Sequence, residues 1–302
     1  MELEKQAATT GQWQRVFPYL ALGYGILGLG MSAMFVKWAN APGTVTGFYR
    51  MTIAAAVLVI PFGMQMRTQA RAPLFYFGMA ALGGLFFAGD IGLWNTAVLV
   101  STATTSTFLG NTSPLWVALG ALVLFKQRLG RLFWIGLLVT LTGAAAMVGS
   151  DFLQHPLLGF GDLLAAGAGV CYGGFFLAAQ RARGRLSTLV ASWISVITSA
   201  VVLLAVSLIL KQPLWGYPAA AYWNMLALAL LTQVGGYLAI NYALGHLPAS
   251  IVSPTMVGQP VVTAILAVPL LGERLTPAQI VGGLLVVIGI LVVNASHDRA
   301  AS

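Results

Sequence analysis

Between Pro248 and Val293 two apolar runs of about twenty residues flank a single short charged turn, Gly272-Glu273-Arg274-Leu275-Thr276-Pro277. At about 1.5 Å per helical residue such a run matches a hydrocarbon core of roughly 30 Å, so the stretch reads as two membrane-spanning helices joined tightly. The pattern has an echo. Sliding the chain against itself by 146 residues, without a gap, sets Asn95 on Asn241, Ala97 on Ala243, Ala103 on Ala249, Pro114 on Pro260, Arg128 on Arg274, Leu129 on Leu275, Gly136 on Gly282 and Gly143 on Gly289. One register shared by so many positions marks a duplicated unit. The chain divides into halves, residues 1–150 and 151–302.

Hydrophobic residues make up 59% of the 302 and charged ones 7%, too little polar surface to cover a water-soluble domain. The class is an all-α polytopic membrane protein. Long continuous apolar runs without polar-in alternation disfavour a β-barrel. The net charge of +8 sits in short turns between apolar runs rather than on one face of a soluble domain, so it signals topology and not a nucleic-acid partner. The single cysteine, Cys171, excludes an intramolecular disulfide and reads as a small packing residue. The first apolar run continues through Phe35 with no small-residue cleavage site, which is the pattern of a retained helix.

Ten apolar segments can be drawn, at 17–37, 44–63, 74–98, 103–125, 132–149, 158–179, 188–210, 220–244, 250–271 and 277–295. The two termini and the even-numbered turns hold eleven cations (Lys5, Arg15, Arg67, Arg71, Lys126, Arg128, Arg131, Arg181, Arg183, Arg185 and Arg299), and the odd-numbered turns hold three, Lys37, Lys211 and Arg274. Cytoplasmic loops carry the excess of Lys and Arg, so both termini are expected in the cytoplasm. Five helices per half is an odd number, which makes the repeats inverted. The basic turn Lys126-Gln127-Arg128 and its neutral counterpart Gly272-Glu273-Arg274 differ as opposite membrane faces require.

The second-half pattern Asn241-Tyr242-Ala243-Leu244, Pro248-Ala249, Pro260, Gly272-Glu273-Arg274-Leu275-Thr276, Gln279, Gly282 and Gly289 resembles the EamA-type repeat of the drug/metabolite transporter superfamily. The first half departs from it, with Lys126-Gln127 where that pattern has Gly-Glu. The resemblance covers residues 20–295, and within the family the chain is most similar to bacterial amino-acid exporters, the aromatic ones in particular. It implies ten helices in two inverted five-helix repeats and a central cavity lined by the third, fourth, eighth and ninth helices with the first and sixth. It also implies alternating access in the bacterial inner membrane.

Pro114 and Pro260 lie near mid-membrane in the fourth and ninth segments, where each removes an N–H and crowds the carbonyl four residues back, at Gly110 and Met256. These bends either shape and hinge a substrate site or serve the architecture alone. Beside them stand Asn111, Thr112 and Gln259, and Asn95 and Asn241 occupy equivalent places in the third and eighth segments. Amides facing lipid are costly, so these side chains point inward, to cargo or to a neighbouring helix. Asp90 reads as the one acidic residue deep in an apolar run, able to bind a substrate ammonium, carry a coupling proton, or pair structurally with Arg50. Trp94, Trp116, Tyr172, Trp193 and Tyr237 lie deep enough to stack on a flat cargo or to pack helices, while Trp13, Trp38, Trp134, Trp215 and Trp223 read as interfacial belt. Gly161, Ala165, Gly169 and Gly173 form a small-residue stripe for close helix packing within the monomer. Glu273 and Arg274 close a short turn.

His155, His246 and His297 fall in turns or the tail, and the chain has no H-E-x-x-H, G-x-S-x-G or Walker pattern. The expectation is therefore a secondary transporter and not an enzyme. It needs no cofactor or metal, is bilayer-embedded as a monomer or weak dimer, and exports amino acids, aromatic ones above all. A carrier of nucleotide-linked sugars would need an inward Lys or Arg, which no segment is expected to place near its middle. An exporter of cationic drugs would rely on Asp90. A membrane-embedded enzyme or a structural subunit fits less well.

Overall fold

The computed structural model of the chain describes residues 2–125, 130–154, 156–246, 255–256 and 258–301, and every regular element among them is helical. Ten spans result. The first comprises Glu2–Gly30 and Ser32–Ala39, interrupted at Met31; the second is Gly43–Thr68 and the third Leu74–Val100. The fourth is split into Ala103–Gly110 and Ser113–Phe125, and the fifth is Arg131–Gln154. The sixth is Pro156–Ala182 and the seventh Thr188–Ile209; the eighth runs from Ala219 to His246 with wide π-type turns over Leu228–Gly236. The ninth includes Gly258–Leu271 and the tenth Pro277–Ala301.

The helices start where local chemistry directs. Pro42, Pro73 and Pro218 immediately precede the second, third and eighth spans, while the Thr102 and Ser187 hydroxyls accept the N–H of Thr105 and Val190 at the starts of the fourth and seventh. Thr276 and Gln279 form a reciprocal capping box at the tenth, with Thr276 N–H to Gln279 Oε1 at 2.9 Å and Gln279 N–H to Thr276 Oγ1 at 3.2 Å. Gly272 holds the preceding turn at φ +67°, a conformation that glycine adopts without strain. The first and tenth helices run past the expected ends at 17 and 295, because hydropathy marks only the lipid-facing length and nothing breaks the helix in the polar turns beyond it.

The inversion is written in four glycines. A Cβ on Gly136 would lie 2.8 Å from the Gly289 carbonyl oxygen and one on Gly289 2.7 Å from that of Gly136; Gly143 and Gly282 oppose each other at 2.5 and 2.7 Å. The 146-residue offset equates Gly136 with Gly282 and Gly143 with Gly289. Each glycine thus packs on the counterpart of the other, the reciprocal contact of a pseudo-two-fold axis between the fifth and tenth spans. The sixth-span stripe also packs inward: a Cβ on Gly161 would lie 2.7 Å from Ser101 Cβ, on Gly169 2.6 Å from Thr112 Oγ1, and on Gly173 2.6 Å from Trp116 Cβ. Ser195 and Ser199 of the seventh span donate to Ala80 and Gly84 carbonyls of the third at 2.8 and 2.7 Å. Ile60, Leu138 and Ile265 are among the apolar side chains left on the outside, where lipid covers them.

Candidate functional site

The breaks in the first and fourth spans meet at a central cavity of about 50 Å³, room for roughly four waters. Leu29 and Ser32 flank the Met31 interruption on one side, and Gly110 and Asn111 line it from the end of the first half of the fourth span. The fourth-span break falls at Asn111 and Thr112, and Pro114 becomes the second residue of the new helix, where its missing N–H leaves no bond unmade. Pro260 lies in the helical segment Gly258–Leu271 of the ninth span.

Charge enters the cavity from two sides. Arg50 of the second span is buried at 3% exposure; its Nε donates to Gln233 Oε1 at 2.8 Å and its Nη1 to Ser32 Oγ at 3.4 Å. Gln233 belongs to the π-turn segment of the eighth span, as does Thr232, which Ser32 Oγ approaches at 3.5 Å. The irregular turns of the first and eighth spans therefore hold the guanidinium in place. Asp90 of the third span lines the same cavity. Asp90 and Arg50 act on each other electrostatically, yet among the described residues the ion pair found is Lys37–Glu273 and no hydrogen-bond donor engages the Asp90 carboxylate. A cation and an anion thus face one small space with ligating capacity to spare. Trp94, Tyr172, Tyr237 and Gln259 complete the wall, the two tyrosine hydroxyls 3.2 Å apart.

A second cavity, about 310 Å³ and mostly apolar, lies between the second, third, sixth, seventh and eighth spans. Phe87, Phe175 and Val196 line it, and it meets the first at Tyr237, which lines both, and across the Arg50–Gln233 hydrogen bond. The rings of Phe87 and Phe175 stack at 4.7 Å, giving an aromatic wall.

Asn111, Gln259, Trp94, Tyr172, Tyr237 and Asp90 are thus gathered at one cavity. Four other expected residues lie elsewhere. Asn95 is fully buried and its Nδ2 donates to the Gly43 carbonyl at 3.0 Å, tying the third span to the second. Thr112 Oγ1 donates to the Leu109 carbonyl at 2.6 Å and accepts from Trp116 Nε1 at 3.3 Å, so both residues brace the fourth-span break. Trp193 stacks on Phe62 at 4.0 Å and donates Nε1 to the Ala55 carbonyl at 2.9 Å, packing the seventh span on the second. The Asn241 side chain lies outside the described residues, as do Lys126, Gln127 and Arg128.

Arg50, in the first half of the second span, is a buried inward cation, where the expectation was only that no segment carries one near its middle. Asp151 and Asp162 are also completely buried, so Asp90 is not the one acidic side chain sequestered in the bundle. At the end of the molecule where the odd-numbered turns meet, Glu273 accepts the Ala103 N–H at 2.5 Å, the Thr104 N–H at 3.2 Å and the Thr104 hydroxyl at 2.9 Å. It also pairs with Lys37 at 3.2 Å. One carboxylate thereby ties the first, fourth and ninth spans together at a helix N-terminus, where negative charge is favoured.

Two inverted five-helix halves enclosing a buried, doubly charged cavity define a polytopic membrane protein of the transporter type. The EamA-like transporter family model matches residues 17–149 and again 159–295, and the chain belongs to that family. It is 25% identical over 260 residues to the threonine/homoserine exporter RhtA of Escherichia coli K12, covering 84% of this chain and 81% of that protein. It is 24% identical over 290 residues to a probable terminal-alkyne amino-acid exporter of Streptantibioticus cattleyicolor, covering 95% and 91%. An uncharacterized transporter of Synechocystis, sll1319, is 28% identical over 232 residues, covering 76% and 70%. A solved crystal structure at 20% identity shares the fold with a TM-score of 0.62 over 92% of this chain and 97% of its own.

Proposed function

We propose that this chain exports amino acids across the bacterial inner membrane by alternating access, with both termini in the cytoplasm. The observation that carries the reading is the placement of Arg50 and Asp90 on one cavity without an ion pair between them. A zwitterion completes both: the guanidinium takes the α-carboxylate in a charge-assisted pair and the Asp90 carboxylate takes the α-ammonium. Asn111 and Gln259 add neutral hydrogen-bonding groups from the fourth and ninth spans, one from each repeat. Two relatives named as amino-acid exporters support the cargo class.

The cargo side chain extends past Tyr237 into the apolar cavity lined by Phe87 and Phe175, whose size and rings favour an aromatic amino acid. The chemistry is binding and release, with no enzymatic step. A purely cationic drug gains nothing from Arg50, which sets this reading above the cationic-exporter alternative.

The test is counterflow in proteoliposomes with labelled Phe, Trp, Thr and Met, with and without a pH gradient. Selective exchange of Phe and Trp is expected. Exchange of Thr alone would overturn the aromatic assignment, and exchange of lipophilic cations with no amino acid moving would overturn the amino-acid class.

A further inference from the structure

The even-numbered turns carry a basic edge that the central cavity does not use. Arg67 and Arg71 flank the turn between the second and third spans, and Arg181, Arg183 and Arg185 the turn between the sixth and seventh; all five are exposed. Of the seven acidic residues in the chain none lies in either turn, and among the described residues none of these arginines has a carboxylate partner.

One side chain fixes the two turns on each other. Gln69 Nε2 donates to the Arg185 carbonyl at 3.0 Å, and Gln69 Oε1 accepts the Ser187 N–H at 2.9 Å. Beneath it Ala72 and Tyr76 pack on Ala182 and Leu186, and a Cβ on Gly184 would lie 3.4 Å from the Tyr76 ring. Arg67 and Arg71, two residues either side of Gln69, are thereby held beside the arginines of the other repeat. The lipid-facing surface begins at once: Leu74 is 84% and Phe75 51% exposed, and the Arg181 guanidinium lies 5.9 Å from the centre of the Phe75 ring. Arginines at such an edge lay their stems on apolar surface and lift the charge to headgroup level.

The equivalent junction at the other end of the molecule lacks the charge. The 146-residue offset sets Pro213 and Tyr217 on Arg67 and Arg71, and Phe35, Lys37 and Ala39 on Arg181, Arg183 and Arg185, one cation against five. The inverted fold therefore does not require the cluster. A topology signal needs only the sum of charges in the loops, not two turns bonded to each other.

We propose that this edge binds an anionic phospholipid, its phosphate held by arginines of both repeats and its acyl chains lying on Leu74 and Phe75. A guanidinium offers a fork that meets phosphate in two parallel hydrogen bonds. Five cations without an anion, bordered by exposed apolar side chains, complement a headgroup with tails better than a soluble anion. The site does not depend on the identity of the cargo.

The purified protein is placed in nanodiscs of phosphatidylcholine with increasing phosphatidylglycerol, retained lipids are counted by native mass spectrometry, and thermal melting is followed in parallel. The native protein retains phosphatidylglycerol in preference to phosphatidylcholine and melts higher in its presence. One interfacial cation favours anionic lipid by roughly fivefold, so Arg183→Gln with Arg185→Gln lowers the preference by up to about 25-fold. Arg131→Gln, which removes an exposed cation from the fourth turn, leaves it unchanged. Gln69→Leu keeps every charge but releases the two turns, and it weakens the preference as a bare charge count would not. The proposal is overturned if the native protein shows no preference, if Arg131→Gln weakens it as much as the double variant, or if Gln69→Leu leaves it intact. Equal stabilisation by inorganic phosphate in pure phosphatidylcholine would also overturn it, as the mark of a free-anion site.

Discussion

Replacing Glu273 by Gln is expected to loosen the end of the molecule where the odd-numbered turns meet, the outer end in the orientation proposed above, where Glu273 latches the first, fourth and ninth spans. The carboxylate accepts two N–H groups and one hydroxyl at 2.5–3.2 Å and faces Lys37, with 6% of the Glu273 side chain exposed. Glutamine keeps one acceptor oxygen and turns an NH₂ donor towards groups that are themselves donors. Charge-assisted bonds contribute about 1.5–3 kcal/mol against about 0.5–1.5 for neutral ones. The Lys37 contact is discounted because a quarter of that side chain is exposed. The closed arrangement loses about 3 kcal/mol in total, which is roughly a 150-fold shift towards the open state. The assay uses a Cys171→Ala background with Ser106→Cys as reporter, a position fully buried one turn inside the latch. A membrane-impermeant thiol reagent added from outside should label the Glu273→Gln protein roughly a hundredfold faster, and Lys37→Met should accelerate labelling by no more than about tenfold. Equal labelling rates in a folded Glu273→Gln protein would refute the latch.

Gly289→Val is expected to destabilise the protein by about 2–3 kcal/mol, because the added Cβ would run into Thr140 Oγ1 and lie 2.7 Å from the Gly136 carbonyl oxygen. An unchanged melting temperature in detergent would contradict the close fifth–tenth crossing. Trp193→Phe should cost about 1 kcal/mol of stability through the lost bond to Ala55 and leave cargo selectivity unchanged. A changed Phe-to-Thr preference in counterflow would return Trp193 to the cargo path. Arg50→Lys should raise the half-saturating amino-acid concentration by about tenfold or more, since an ammonium cannot hold Gln233, Ser32 and a carboxylate in one plane; unchanged saturation would remove Arg50 from the site.

The ten spans and their inversion are legible because length, hydropathy and a 146-residue echo are one-dimensional properties. Half of the cavity wall is legible too, since Asn111 and Gln259 stand beside the matched prolines and Asp90 is costly anywhere but inside. What the sequence does not carry is the rotation of each helix. Asp90, Ile91 and Trp94 share one face of the third span, while Asn95, one residue further, is turned towards Gly43. Trp193, like Tyr172, reads as an aromatic inside an apolar run, yet its face meets Phe62. Arg50 has no polar echo at the repeat offset, where Val196 stands, so duplication does not flag it. Asp151 and Asp162 each sit near the turn between their spans, at the edges of the apolar runs. Only the fold shows that both are buried away from water.

The most direct test of the zwitterion-reading cavity is exchange of phenylalanine against two trimmed analogues in the same proteoliposomes: phenethylamine, which lacks the carboxylate, and 3-phenylpropionate, which lacks the ammonium. The Arg50 and Asp90 pairing predicts that phenylalanine exchanges while each analogue competes roughly a hundredfold more weakly, the value of one buried charge-assisted contact. Equal competition by phenethylamine and phenylalanine would contradict it, because Arg50 would then read no carboxylate.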